Sequence, residues 1–177
     1  DLYIVEYIGM VDMHRGLYEQ ARAQTEKALG VAREWRSWRD IGFALCILGS
    51  IALAEGAHTE AQHLLQEGIA AYREIKKRDE LGWALACAGV AARCTGHPAL
   101  ARRYLCKALR IGCETGTFRP RITPVPAMAL LFLDDGEIER AVELYALASR
   151  YPYVACSRWF EDVAGRQIAA IAAGLPA

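Results

Sequence analysis

The chain has 177 residues, of which 54% are apolar, and its 21 basic and 21 acidic side chains give a formal net charge of zero. This neutral balance argues against a nucleic-acid partner or an anionic membrane surface, because both require a basic patch. The longest apolar run, residues 41–53, contains two glycines and is too short to cross a bilayer.

The first two units of the chain each predict a pair of helices. Gly16 and Gly56 separate the helices of each pair, and Gly56 is expected to end its helix in a left-handed conformation. Asp40 is expected to cap the first helix of the second unit. The predicted helices span 2–14 and 18–35 in the first unit, and 40–55 and 59–77 in the second.

The later units repeat this plan with one departure. Asp79 or Glu80 opens the third pair, and Pro98 suits the first turn of its second helix. In the fourth unit, 119–121 (Arg-Pro-Arg) is expected to be a linker, and the first helix to start late, at Pro124. The predicted helices span 80–95 and 98–114, then 124–133 and 137–150, and finally an amphipathic helix over 157–172 capped by Ser157.

Small residues recur in this chain with a period of 40. Five positions carry the same residues 40 apart: Gly49, Ala52, Gly56, Ala61 and Leu65 match Gly89, Ala92, Gly96, Ala101 and Leu105. A fixed period of this size indicates stacked repeats. We therefore expect an all-α superhelix, or solenoid, of about four helix hairpins over 1–39, 40–79, 80–119 and 120–150, followed by a capping helix over about 156–173.

The offsets between these small residues resemble the tetratricopeptide (TPR) pattern. Gly49 is followed by Ala61 and Gly68, and Gly89 by Ala101 and Ala108. In that pattern, small residues let paired helices touch. The usual TPR period is 34. The longer period is similar to the TPR regions of bacterial signal-transduction (STAND) ATPases of the maltose-activator-like class, although the chain has no G-x-x-x-x-G-K-[ST] loop.

Neither the cysteines nor the histidines form a pattern typical of catalysis or metal binding. The six cysteines include no C-x-x-C pair, which disfavours a zinc site. Cys87 and Cys94 are seven residues apart on one helix, or about 10.5 Å, beyond disulfide reach. The four histidines fit no hydrolase or metalloprotease motif. We expect buried free thiols, no cofactor, no metal and no enzymatic activity.

The TPR resemblance implies a concave binding groove lined by the first helix of each unit. Offsets from its glycine place Tyr3, Phe43 and Trp83 in an aromatic ladder across three units. An exposed apolar strip of this kind marks a contact surface. The alternative is that these aromatics are core residues between neighbouring first helices. The remaining groove positions are Glu6, Met10, Met13, Cys46, Ser50, Leu53, Val90, Arg93, Leu130 and Leu133, together with Ala86.

These observations predict a binding, sensor or scaffold module of a larger cytoplasmic signalling or transcriptional regulator. The groove is expected to meet a peptide, a protein segment or a small-molecule effector, without nucleic acid or membrane. The chain opens at Asp1 in mid-pattern, without a basic-then-apolar leader, so we expect an excised piece of a longer protein. The alternative is a self-association module, in which the apolar strip or the 2–13 face stacks on a second copy.

Overall fold

The computed structural model describes the backbone of residues 2–174, and the side chains of residue 5 and residues 7–174. Within this part of the chain the secondary structure is helical, with no strand. The helices are α1 (Leu2–His14), α2 (Tyr18–Glu34), α3 (Trp38–Ala54), α4 (His58–Glu74), α5 (Arg78–Cys94), α6 (Pro98–Thr115), α7 (Phe118–Ile122), α8 (Pro124–Asp134), α9 (Ile138–Ala148), α10 (Pro152–Ala155), α11 (Arg158–Phe160) and α12 (Arg166–Ala172), with a π-helical turn over Glu161–Gly165 before α12.

Consecutive helices pack as antiparallel hairpins, which confirms the predicted all-α solenoid. The pairs are α1–α2, α3–α4, α5–α6 and α8–α9, and α2 and α4 each also contact the first helix of the next pair. The first helices contact one another in the order α1, α3, α5 and α8. They therefore form one continuous row.

The repeated glycines allow close contact inside each hairpin. A Cβ atom at Gly49 would lie 2.7 Å from Leu65 Cγ, and one at Gly89 would lie 2.6 Å from Leu105 Cδ2. Both distances are below van der Waals contact, so a side chain at either glycine would push the hairpin apart. This explains why a glycine in the first helix and a leucine in the second helix recur together every 40 residues.

Turn residues with positive φ recur every 20 residues, at half the period of the hairpins. Within each hairpin the turn residue with positive φ is glycine, and Gly56, with φ of 80°, confirms the left-handed helix end predicted there. Between hairpins the corresponding residues are Arg36, Lys76 and Gly116, with φ of 53°, 55° and 68°. Two of these turns thus place a residue with a side chain in a conformation that favours glycine.

Two local predictions were wrong. Asp40 does not cap α3, because the helix begins at Trp38 after the N-cap residue Ser37, whose hydroxyl donates to the Asp40 carboxylate at 2.6 Å. The segment 119–121, predicted to be a linker, is the centre of the short helix α7. Its proline lies within this short helix. The helix packs against α5 and α6. The late start of α8 at Pro124 was predicted correctly.

The end of the chain folds back onto the row of first helices. We call residues 152–172 the C-terminal segment. The predicted single helix is instead divided into α11, a π-helical turn and α12, although Ser157 does cap it, accepting a hydrogen bond from Phe160 N at 3.3 Å. Its parts contact α1, α3, α8 and α9. Because it touches both ends of the row, the row curves around it, and we call the surface it covers the inner face. None of the helices within 2–174 is both long and apolar enough to span a membrane.

Candidate functional site

Two of the three residues of the predicted aromatic ladder, Phe43 and Trp83, are in ring contact on the inner face. The ring centroids of Phe43 and Trp83 lie 5.5 Å apart, and Tyr7 stacks on Phe43 at 5.4 Å. The ladder therefore continues into the first unit through Tyr7, which the sequence did not single out. The side chains of Tyr3 and Glu6 lie outside the described part of the chain. Successive units thus bring aromatic rings into direct contact along the row.

The expectation that this strip is exposed was wrong. Phe43 is 1% exposed and Trp83 is 3% exposed. The other groove positions are covered as well, because the chain supplies its own lid over the inner face. Buried positions are Met13, Cys46, Ser50, Leu53, Ala86, Val90 and Leu130, whereas Met10, Arg93 and Leu133 are half-buried.

One part of this lid is Arg119, in α7. Its guanidinium carbon lies 5.2 Å from the Trp83 ring centroid and 5.8 Å from that of Phe43, within cation–π range of both. The same guanidinium reaches Met10 Sδ at 3.6 Å. Arg119 therefore spans three units. Sequence reasoning missed it because Arg-Pro-Arg was interpreted as a linker.

The C-terminal segment forms the rest of the lid. The indole N–H of Trp159 donates to the backbone carbonyl of Ser50 at 2.6 Å, and the Trp159 side chain is 2% exposed. The Ser50 hydroxyl donates to the Cys46 carbonyl at 2.8 Å and contacts Cys87 Sγ at 3.5 Å. A buried indole N–H needs an acceptor, so this bond fixes where the segment sits on α3.

An aromatic cluster joins the segment to the end of α1. The His14 ring lies 5.1 Å from the Tyr153 ring, 6.4 Å from that of Trp159 and 6.0 Å from that of Phe160. His14 Nδ1 is hydrogen-bonded to Ser157 Oγ at 2.7 Å. The sequence signal for this cluster was the density of aromatic residues after the last repeat, over 151–160, which an ordinary solvated cap does not require.

Electrostatics at the cluster favour neutral side chains. Burial, followed by the positive charge of Arg119, lowers the pKa of His14 to about 4. Burial raises the pKa of Tyr153 to about 12. Burial and the hydrogen bond that Tyr18 donates to Asp162 at 2.7 Å raise the pKa of Tyr18. The segment is therefore held by uncharged aromatic contacts and by a phenol–carboxylate hydrogen bond.

Polar side chains of α5, α8 and α12 form a hydrogen-bonded network at one end of the inner face. Arg93 makes a bidentate contact with the Asp134 carboxylate at 2.6 and 2.7 Å, joining α5 to α8. The remaining nitrogen of Arg93 donates to Gln167 Oε1 at 3.3 Å, in α12. The charge of Arg93, one of the predicted groove positions, is therefore paired within the chain.

All six cysteines are free thiols; two are buried, Cys94 is half-buried and three are exposed. Cys46 and Cys87 are buried, with the Cys46 sulfur beside Gly68 of α4 and the Cys87 sulfur 3.5 Å from the Ser50 hydroxyl. Burial raises the pKa of both thiols, that of Cys87 to about 11. The prediction of buried thiols was wrong for Cys106, Cys113 and Cys156, which are exposed. The described residues contain no cluster of three metal-ligating side chains. The inner face thus offers apolar and aromatic contact rather than reactive groups.

Comparisons with known proteins identify the fold. No protein-family model matches the chain, and no curated protein matches it. Among solved structures, a Rap protein complexed with Competence and Sporulation Factor superposes with a TM-score of 0.71 at 17% identity, covering 96% of this chain and 47% of that one. This chain has a TPR-like fold.

Two further structures support this assignment. The Rap conjugation gene regulator of plasmid pLS20, in complex with the Phr* peptide, gives a TM-score of 0.71 at 16% identity, over 96% of this chain and 46% of that chain. A kinesin light chain with TPR-like repeats from Podosopora anserina gives 0.62 at 17% identity, over 98% and 97% of the two chains. The present chain spans slightly less than half the length of the two Rap chains.

Proposed function

We propose that this chain is a non-catalytic binding module whose inner face takes an aromatic-rich peptide segment. The supporting observation is the position of Trp159 on the inner face, where its buried indole N–H donates to the Ser50 carbonyl. In this structure the chain's own C-terminal segment occupies the inner face. A partner peptide would compete for the same aromatic ladder, with the segment acting as an internal competitor.

The neighbouring structures are consistent with a peptide partner. Both Rap structures are complexes, one with Competence and Sporulation Factor and one with the Phr* peptide. Curved helical repeats present an extended surface that suits a chain segment. The occupant seen here is itself a stretch of polypeptide, which favours a peptide or protein segment over a small-molecule effector.

The proposed setting is a larger cytoplasmic regulator of the STAND, maltose-activator-like type. The 40-residue period and the small-residue offsets support this setting. In such a protein, displacement of the C-terminal segment would expose the inner face and provide a signal to the remainder of the chain.

Competition in the full chain tests the proposal. A fluorescein-labelled peptide with the sequence of residues 151–172 is titrated with wild type and with a Trp159→Ala variant, and anisotropy is recorded. The Trp159→Ala change weakens the contact of the C-terminal segment with the inner face, so a larger fraction of the chains has a free inner face. The variant should therefore bind the peptide about tenfold more tightly. Combining Trp159→Ala with Phe43→Ala should remove that gain.

The matched control is Trp35→Ala, because Trp35 is 68% exposed and lies away from the inner face. This variant should bind the peptide as wild type does. Far-UV circular dichroism checks that each variant remains helical. Equal peptide affinity for wild type and Trp159→Ala, with both folded, would refute the proposed occupant of the inner face.

A second candidate function is self-association through α1. Ile8 is 45% exposed and Val11 is 50% exposed, three residues apart on one helical face. Light scattering across a concentration series should then show a dimer that Val11→Glu dissociates. A monomer at every concentration would exclude this function for the chain as it stands.

A further inference from the structure

Two large surface cavities in the described part of the chain are related by the repeat. One, of about 820 Å³, lies on α3 and α4 and the end of α2, and the other, of about 710 Å³, lies on α5 and α6. Six lining positions of the first have a lining counterpart 40 residues later in the second. We call them the α3–α4 groove and the α5–α6 groove. Neither includes a residue of the predicted aromatic ladder.

The α3–α4 groove is balanced in charge. Arg33 lies 3.8 Å from the Glu67 carboxylate, and the lining also contains Arg36 and Glu74. Two cations thus face two carboxylates. Trp38 completes the groove with an exposed aromatic side chain.

The α5–α6 groove carries an excess of positive charge. Its Arg78 is paired with Glu114, the only carboxylate of its lining. Arg103, Lys107 and Arg110 are exposed and have no hydrogen-bonded or ion-paired partner within the described residues. At the repeat-related positions the other groove has Glu67 and Ala70 in place of Lys107 and Arg110.

Intramolecular electrostatics do not explain this excess. Residues 103, 107 and 110 follow the i, i+4, i+7 spacing of one helical face, where like charges repel and destabilise the helix. The helix dipole does not compensate, because α6 has no basic residue in its last turn. The whole chain is neutral, so the excess is local to this groove.

The floor of the groove is apolar. Leu81 is half-buried and Ile111 is 4% exposed, and both line the cavity beneath the three cations. A row of cations above an apolar floor complements a helix with carboxylates on one side and apolar side chains beside them. A nucleic acid or free phosphate would use the cations and leave the floor uncovered.

We propose that the α5–α6 groove is a second interaction surface, which binds an acidic amphipathic peptide segment. Carboxylates of the segment contact Arg103, Lys107 and Arg110, and its apolar side chains pack on the exposed part of Leu81 at the floor of the groove. The surface is separate from the inner face, so its occupation does not require displacement of the C-terminal segment.

The probe is a labelled 15-residue helical peptide of Glu, Leu and Ala with glutamates at i, i+4 and i+7, titrated by anisotropy into the full chain. Wild type should bind it, with affinity that falls as salt rises. The Lys107→Glu/Arg110→Ala variant should bind at least about tenfold more weakly. All altered side chains are exposed, and circular dichroism verifies folding.

Two variants serve as matched controls. Lys27→Glu repeats the Lys107→Glu part of the charge change at the repeat-related position of the first unit, outside both grooves, and should leave binding intact. Glu67→Lys/Ala70→Arg installs the cations in the α3–α4 groove and should add a second site. Equal affinity of wild type and Lys107→Glu/Arg110→Ala would overturn the proposal. It would also be overturned if a single-stranded oligonucleotide or inorganic phosphate bound at these cations and the peptide did not.

Discussion

His14 and Ser157 are 143 residues apart in the sequence and share a hydrogen bond of 2.7 Å between His14 Nδ1 and Ser157 Oγ. This bond joins the end of α1 to the start of α11. His14 Nε2 is buried and has no hydrogen-bond partner among the described residues. Protonation would therefore place a charged donor without an acceptor near Arg119. The junction between the first hairpin and the C-terminal segment is stable only while His14 is neutral.

We expect acid to destabilise the fold through His14. Its pKa is about 4 in the folded chain and 6.5 in a model peptide. At pH values between these, the unfolded chain binds a proton that the folded chain excludes, so stability falls as pH decreases. The loss contributed by His14 should approach about 3 kcal/mol near pH 4 and vanish above pH 7.

Chemical denaturation of wild type and His14→Gln between pH 7.5 and 4.5 measures this effect. The difference in unfolding free energy between them should shift in favour of the variant as pH falls. His63→Gln is the control, since the His63 side chain is 76% exposed and away from the cluster. Parallel pH profiles for wild type and His14→Gln would contradict the assignment.

Opposite effects are expected from glycine-to-alanine changes at two helical positions. At Gly89 a new Cβ would meet Leu105 Cδ2 at 2.6 Å, so Gly89→Ala should cost about 1–3 kcal/mol through overpacking. At Gly30 in α2 no atom of the described residues lies within 4 Å of a new Cβ, so Gly30→Ala should stabilise the fold by about 0.5–1 kcal/mol through lower backbone entropy. Urea unfolding midpoints compare the two. A gain at Gly89 would show that the hairpin contact is not tight.

Two turns between hairpins contain a non-glycine residue with positive φ, and substitution by glycine should relieve the backbone strain there. Arg36 and Lys76 adopt φ of 53° and 55°, a conformation that costs a residue with a Cβ about 1 kcal/mol. Arg36→Gly should therefore raise the thermal midpoint. The reverse change, Gly56→Ala, should lower it by a similar free energy, because Gly56 has φ of 80° and open space around it. Calorimetry of both variants checks the sign.

The sequence predicted the hairpins well because their signal is local. Glycine and alanine at fixed offsets, such as Gly49 with Ala61, record contacts inside one hairpin, and the same contacts recur every 40 residues. Helix limits shifted by a few residues where capping depends on a single turn, as at Ser37 and Asp40. The 40-residue period therefore predicts the contacts within each hairpin from the sequence alone.

The occupant of the groove could not be predicted in the same way. Trp159 meets Ser50 across 109 residues, and Arg119 meets Met10 across the same separation. Neither contact repeats, so the 40-residue period contains no trace of it. The positions derived from the TPR resemblance include Phe43, Trp83 and Ser50, which Arg119 and Trp159 contact. They did not reveal that a later part of the chain would cover these residues.

Thiol labelling reports on whether the C-terminal segment opens. Cys106, Cys113 and Cys156 are exposed and should react rapidly with an aromatic disulfide reagent at pH 7.5. Cys87 should react only when the lid opens, because it is buried against Ser50 and burial raises the pKa of its thiol. Cys46 is buried beside Gly68 within the α3–α4 hairpin and should stay unlabelled in the folded chain.

The Trp159→Ala change should accelerate labelling of Cys87 selectively. Removing the indole deletes the hydrogen bond to the Ser50 carbonyl, and Ser50 itself contacts Cys87 Sγ at 3.5 Å. Mass spectrometry of labelled fragments gives the rate for each cysteine, with Trp35→Ala as the matched control. If Cys87 is labelled in Trp159→Ala only at the rate of global unfolding, the segment does not open independently. The inner face would then be a permanent core, because no partner could reach the aromatic ladder without unfolding the chain.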